Sequence, residues 1–382
     1  MADPILAENI LIALTSKINQ TDSNRLEILC TDFIANAILG ERKYNSPENS
    51  ILDGISERAV RLGLYASALD MDDIDWRVVT HPGSVVWPVA VAIGTHLHTP
   101  LEQVLTNAAY GYRTGATIAH LFGVSHRSKW HSTSTSGAFA ATSTAAMALN
   151  LTVQQHLHAL HICGANIGGS PQAGFERLGA VQANRAAAIT LGITSAHAAL
   201  IGAPNVNEIW DGPRGLLEMF AVEAESSEIL DGVSTAELRL LPTNGFTHSA
   251  VMAAWELYLR TTVPVAAIQV ILPASSKSLL DGSRGGSWWD PAFAVAALWN
   301  SGDPMNLSAP NHFLTMTTVE FADLPIGAAR VRIETEIGSD ESYFEHAREE
   351  IAWINKKNND AGIRNAQEGY RRCSNFPLAA LR

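Results

Sequence analysis

Long apolar runs are scarce in this chain of 382 residues. The stretch from Ser84 to Leu97 is broken by Pro88 and Gly94, and Val263 to Leu272 is too short to cross a bilayer, so no membrane partner is expected. Cysteine is equally sparse. Cys30, Cys163 and Cys373 are odd in number and far apart, a pattern of reduced thiols rather than a disulfide framework. Only 17 % of residues are charged, the net charge is −12, and no Lys/Arg run is long enough to track phosphates, which argues against a nucleic-acid partner. No CxxC pair, Walker loop or strand-borne Gly-x-Gly-x-x-Gly occurs, and there is no Gly-x-Ser-x-Gly elbow of a serine hydrolase. The opening Met-Ala-Asp-Pro lacks the basic start and apolar core of a signal peptide. Together these absences predict a cytoplasmic protein.

What is present is apolar mass. A hydrophobic content of 47 % implies a large core plus an oligomer interface, and the length suggests two domains. From residue 5 to about 225 the pattern is helical, with Leu6, Ile10, Leu11 and Leu14, then Leu29, Phe33, Ile34 and Ile38, at helix spacing. Ile55 to Leu69, Pro88 to Leu97, Leu101 to Phe122, Leu157 to Ile167 and Ala183 to Leu200 read as further helices. Ala138 to Leu149 is small on nearly every side and predicts a helix buried on all faces. Near residue 240 the character changes. A β-branched run ends at Gln269 to Leu272, and Thr315 to Phe321 and Ala329 to Ile337 alternate as half-wet strands do, with a helix from Pro291 to Trp299 between them. Helical patterning is expected again after Ser339. The reading is a mainly α protein: an all-helical domain of residues 1–238 and 339–382, with an α+β lid of residues 239–338.

One stretch stands out chemically. Asp70, Asp72, Asp73 and Asp75 crowd into six positions, with His81 a short loop away. Acids this close repel unless a cation, a proton or a positive substrate offsets the repulsion. The cluster reads as an acidic helix end facing water, as a metal or diphosphate site of D-x-D-D spacing, or as a carboxylate that orients His81. His131 opens a second polar run, His131-Ser-Thr133-Ser-Thr-Ser-Gly137. Two histidines at the mouths of two helices are raw material for proton transfer. His156, His158 and His161 lack an i,i+4 pair and read as packing histidines, as do His96 and His98, so no metal is expected. Gly164-Ala-Asn-Ile-Gly168-Gly169 reads as helix-packing glycine. Trp76, Trp87, Trp130, Trp288 and Trp289 lie near these blocks and are packing residues or the lining of an apolar pocket.

These residues resemble the MmgE/PrpD superfamily. Ala66-Ser-Ala-Leu-Asp-Met-Asp-Asp73 with His81-Pro82, Gly111-Tyr112, the His131 to Ala141 block, Leu240-Leu-Pro242 with Thr247-His248-Ser-Ala, and Pro291 to Ala297 follow the order of its signature blocks over residues 60–300. The resemblance implies a large helical domain built from both chain ends, a smaller α+β lid, a homodimer and no cofactor. It includes 2-methylcitrate dehydratase, cis-aconitate decarboxylase and iminodisuccinate epimerase. Carried over by position, it implies a catalytic set of Asp70, His81 and His131 in a cleft between the domains. The histidines would be acid and base, with Asp70 setting one imidazole. Asp73, Ile74, Trp130, Thr133, Arg239 and Phe293 would face the substrate.

The chain departs from the family pattern in a consistent direction. Lysine and histidine of one block fall near Glu176-Arg177-Leu-Gly179, another lysine becomes Arg239, a tyrosine becomes Phe293, a threonine becomes Ile74, and a glutamate after Gly-Tyr becomes Arg113. Such a site would pair the charges of a di- or tricarboxylate poorly. The expected function is therefore a cofactor-independent lyase, dehydratase- or decarboxylase-like, acting next to a carbonyl or carboxylate of a small, relatively apolar metabolite. The alternatives are an isomerase, epimerase or cyclase of a specialised metabolite, with a terpene-type cyclase more distant, or a non-catalytic ligand-binding descendant.

Overall fold

The computed structural model describes residues 4–18, 22–44, 54–175, 180–220, 228–280, 289–306, 312–345 and 351–374. Glu176 to Gly179 and Trp288 therefore lie outside the described residues. The chain divides into two compact units: residues 1–68, 72–237 and 354–382, and residues 69–71 with 238–353.

The first unit is helical. Its long helices are α1 (Pro4–Thr15), α2 (Ser23–Glu41), α3 (Ile55–Ser67), α4 (Gly83–His96), α5 (Leu101–Arg127), α6 (Ser132–Ala148) and α7 (Val153–Gly164). A single turn, α8 (Gln172–Phe175), precedes α9 (Val181–Leu200), and α10 (Leu216–Met219) is equally short. Local chemistry sets several ends. Asp22 caps α2 by accepting from Arg25 N–H, and Thr152 with Gln155 forms a capping box on α7. Pro88 lies inside α4, so the helix begins at Gly83 and not at the proline.

At the centre of this unit α6 is buried almost from end to end, as its composition predicts. α5 and α9 pack on it through glycine. A Cβ on Gly111 would meet Thr144 Oγ1 at 2.1 Å, and one on Gly192 would meet Ala141 Cβ at 2.4 Å. Absent side chains let the backbones approach, which an Ala-rich helix needs for dispersion contact. Arg113, in the family's glutamate position, donates to the carbonyls of Leu14 (2.6 Å) and Ser16 (2.8 Å), tying the end of α1 to α5.

The second unit opens with α11 (Gly245–Arg260), then β1 (Val265–Pro273), α12 (Lys277–Leu280), α13 (Pro291–Ser301), α14 (Phe313–Met316), β2 (Thr317–Ala322), β3 (Ala329–Thr335) and β4 (Gly338–Phe344). The sheet order is β2-β1-β3-β4. β1 and β2 are parallel, and the other pairs are antiparallel. Val270 sits opposite Val319 on one side and Val331 on the other. α11 packs on β1, β3 and β4, and α13 on β2. β4 corrects the expectation that helix resumes after Ser339. Gly338, at φ +138°, turns the chain back and β4 pairs along β3, burying only Ser342 and Phe344. So short an inward face leaves little hydrophobic pattern to read. α15 (Ile351–Ala361) and α16 (Ala366–Ser374) follow, and from residue 354 the chain belongs to the helical unit.

Candidate active site

The loop between α3 and α4 resolves the crowding of its acids by giving each a different partner. Asp70 belongs with the second unit, where its carboxylate accepts from Trp289 Nε1 at 2.8 Å. Asp72 Oδ2 accepts from Arg185 Nη1 at 2.8 Å. Asp73 Oδ1 accepts from Gly83 N–H at 2.8 Å, and its Oδ2 from Tyr112 Oη–H at 2.6 Å. Asp75 holds Arg77 at 2.9 Å and accepts from Thr235 Oγ1 at 2.8 Å. All four are buried, at 1–6 % exposure. The reading of a water-facing acidic helix end is therefore overturned. Two isolated bridges, Ile74 with Glu237 and Asp75 with Thr80, pin the loop.

His81 sits where this loop enters α4, with 18 % of its side chain exposed. Its Nδ1 lies 2.8 Å from the backbone carbonyl of Asp73. A carbonyl only accepts, so Nδ1 carries the proton and Nε2 keeps its lone pair. Asp72 Oδ2 lies 3.6 Å from the same Nδ1. The carboxylate beside His81 is thus Asp72, which also holds Arg185.

His131 is the N-terminal residue capping α6 through its carbonyl, which accepts from Ser134 and Thr135 N–H. The loop before α8 lies over it: His131 N–H donates to Gly169 O at 3.1 Å, and Ser134 Oγ donates to Gly168 O at 2.7 Å. Gly169, at φ +136°, has no room for a Cβ, since Ser134 would be 2.6 Å away. The Gly168-Gly169 pair, read from sequence as helix packing, is a cover for the His131 turn. Thr133, on the first turn of α6, accepts from His81 N–H at 3.1 Å and so links the two histidine loops. His131 Nδ1 is buried with no hydrogen-bond partner among the described residues. Burial lowers the His131 pKa to about 3, the Arg185 charge lowers it further, and Asp72 works in the opposite direction. His131 is an uncharged imidazole near neutral pH.

Behind this pair lies a polar layer. Trp87 Nε1 donates to Tyr112 Oη at 2.8 Å, extending the chain to Asp73. Burial raises the Asp73 pKa to about 7, against the hydrogen bonds from Tyr112 and Gly83 and with the neighbouring charges of Asp72 and Asp32. A cavity of about 10 Å³, room for one water, is lined by Asp32, Asn36, Asp72, Asp73, Gly83 and Trp87 among others. On its far side Asp32 forms a buried ion pair with Lys357 of α15.

The other expected substrate contacts are placed as follows. Ile74 is buried in its bridge with Glu237. Trp130 is half-buried, edge-on to Phe220 with centroids 5.3 Å apart. Asp73 spends its carboxylate on Gly83 and Tyr112. Arg239, donating to Thr243 O at 3.2 Å, and the half-buried Phe293 of α13 belong to the second unit. His156 Nε2 shares a 2.8 Å hydrogen bond with Ser143 Oγ. Among the described residues no group of three or more His, Cys, Asp or Glu is disposed to hold a metal.

Sequence reasoning missed Arg185. It is the single Asp, Glu, Lys or Arg residue in the 20 residues of α9, and it is 2 % exposed. A lone cation in an otherwise apolar helix was the available signal. Its presence revises the expectation of a site stripped of cations.

No helix among the described residues is long and apolar enough to cross a membrane. A search of curated proteins finds no match to the chain. Residues 55–228 match the family model described as MmgE/PrpD N-terminal domain, a span that begins at α3 and contains Asp72, His81, His131 and Arg185. With its mainly helical fold and one small sheet, the chain belongs to the MmgE/PrpD superfamily.

Proposed function

We propose that this chain is a cofactor-independent lyase that removes a proton next to a carbonyl or carboxylate of a small, relatively apolar metabolite. The observation that carries this reading is the setting of His81. Its Nδ1–H is held by the Asp73 carbonyl, its Nε2 is left as a base, and the Asp72 carboxylate stands ready for the imidazolium that forms. A buried carboxylate behind the protonated ring nitrogen is what makes a histidine an effective base. His131 is its partner, an uncharged imidazole able to accept or donate one hydrogen bond to the reacting group at each nitrogen. Family membership supports a dehydratase- or lyase-like activity at the coarse level.

A second reading, an epimerase or isomerase, is favoured by the charge state of His131. Expelling hydroxide asks for a strong acid, and a neutral imidazole is a weak one. Returning a proton to carbon, or losing carbon dioxide, asks for less. Candidate metabolites incubated in deuterated water separate the readings. Release of water or carbon dioxide supports the lyase, whereas deuterium in recovered substrate without loss of a group supports the isomerase. His81→Ala should lower turnover by roughly 10²–10⁴-fold. An active His81→Ala variant would remove the base from this scheme. Tight retention of a ligand with no turnover would mark a binding protein.

A further inference from the structure

We propose that Arg185 is a positioning residue of this site, holding Asp72 by the same carboxylate oxygen that faces His81 and keeping His131 an uncharged imidazole. The inference deepens the proton-transfer reading above and rests on it for its functional meaning, but its test does not need turnover.

The geometry is specific. Arg185 Nη1 lies 2.8 Å from Asp72 Oδ2, and that oxygen is also the one 3.6 Å from His81 Nδ1. One oxygen thus serves a permanent cation and a histidine that becomes a cation only during reaction. Arg185 is buried, and its Nε has no partner among the described residues, as is true of His131 Nδ1. A guanidinium is never deprotonated in such a place, so its field is constant, whereas a lysine there would itself titrate. The charged groups that face His131 are Arg185 from α9 and Asp72 from the loop after α3. The first disfavours a proton on the ring and the second favours it, so Arg185 decides between them. The consequence is a division of labour. His81 takes charge during reaction, with Asp72 to receive it, while His131 works without changing charge at rest. Two imidazolium ions are never forced into one buried cluster.

The test is a histidine titration by NMR on the full chain labelled with ¹³C at imidazole Cε1, the His131 signal being assigned with His131→Gln. In the unaltered protein the His131 signal should stay that of a neutral ring down to about pH 4. In Arg185→Gln, which keeps a hydrogen bond to Asp72 without the charge, protonation should begin about one pH unit higher or more, the usual effect of removing a like charge at this range. Arg185→Met should do the same, and Arg185→Lys should hold the ring neutral near pH 7. Circular dichroism checks that each variant is folded, and the glutamine variant carries the test where methionine prevents folding. A His131 titration unmoved in a folded charge-removing variant overturns the proposal. Loss of turnover in His81→Ala bears on the base assignment alone, so the two ideas fail separately.

Discussion

At the scale of single residues, Asp72 and Asp73 are neighbours with opposite uses. Asp72 faces two cationic groups and is the carboxylate suited to stabilise charge on His81. Replacing it by Asn should lower kcat by at least about 10²-fold, because the imidazolium loses its counter-charge while the ring stays in place. Steady-state kinetics on the identified substrate measures this. Asp73 is a structural acid, with its carboxyl facing Gly83 and Tyr112 and only its backbone carbonyl turned to His81. Its pKa is raised from an ordinary 3.8 to about 7, chiefly by burial. Between those values the folded protein holds a proton that the unfolded chain has lost. Stability from this group is therefore complete below about pH 4, falls as pH rises toward 7, and is flat above that. The fall is on the order of 4 kcal/mol. Asp73→Asn should flatten the dependence of unfolding free energy on pH between 4 and 7, measured by urea denaturation. An unchanged slope would remove Asp73 as its source.

At the scale of elements, α6 organises the helical unit. Its Ala, Ser and Thr side chains are too short to reach a distant neighbour, so α5 and α9 must come close, and Gly111 and Gly192 permit it. Gly192→Ala should lower stability by about 1–3 kcal/mol, since the added methyl meets Ala141 and its backbone. That outcome would run against the helix preference of alanine, which alone would add about 1 kcal/mol. A denaturant midpoint shifted upward would show that the helices part without cost. Composition alone made the burial of α6 legible. It did not reveal that Gly169 covers the His131 turn, because a glycine needed for close approach reads the same in sequence as one needed for a loose turn.

At the scale of the whole molecule, the C-terminal segment is tied into the helical unit by charge and by packing. Lys357 pairs with Asp32, both almost fully buried, and Tyr370 Oη donates to Thr99 O at 2.9 Å. Lys357→Met leaves Asp32 without this counter-ion and should cost about 3–5 kcal/mol. The double variant Asp32→Asn with Lys357→Met should recover most of it, since a neutral pair needs no counter-charge. Thermal unfolding of the three proteins tests the coupling, and additive losses would refute it. We also expect a homodimer burying more than about 2,000 Å², in line with the low charged fraction. A monomer by light scattering at micromolar concentration would contradict this.

The sequence by itself determined the fold class and most helices, because apolar spacing and small-residue composition are local properties that survive without a partner. It also marked His81 and His131, through motifs whose order along the chain is informative. Only the tertiary structure decided which acid serves which group. Asp70, Asp72, Asp73 and Asp75 lie in an irregular loop with no repeat to say where each side chain points, and each is chosen by a partner distant in sequence: Trp289, Arg185, Tyr112 and Thr235. The short inward face of β4 escaped notice for a related reason, since two buried residues make no period. Burial decided the rest. An Arg in an apolar helix or an Asp beside a Lys from the far end of the chain acquires its electrostatic role when water is excluded around it, and that exclusion is a property of the packed molecule.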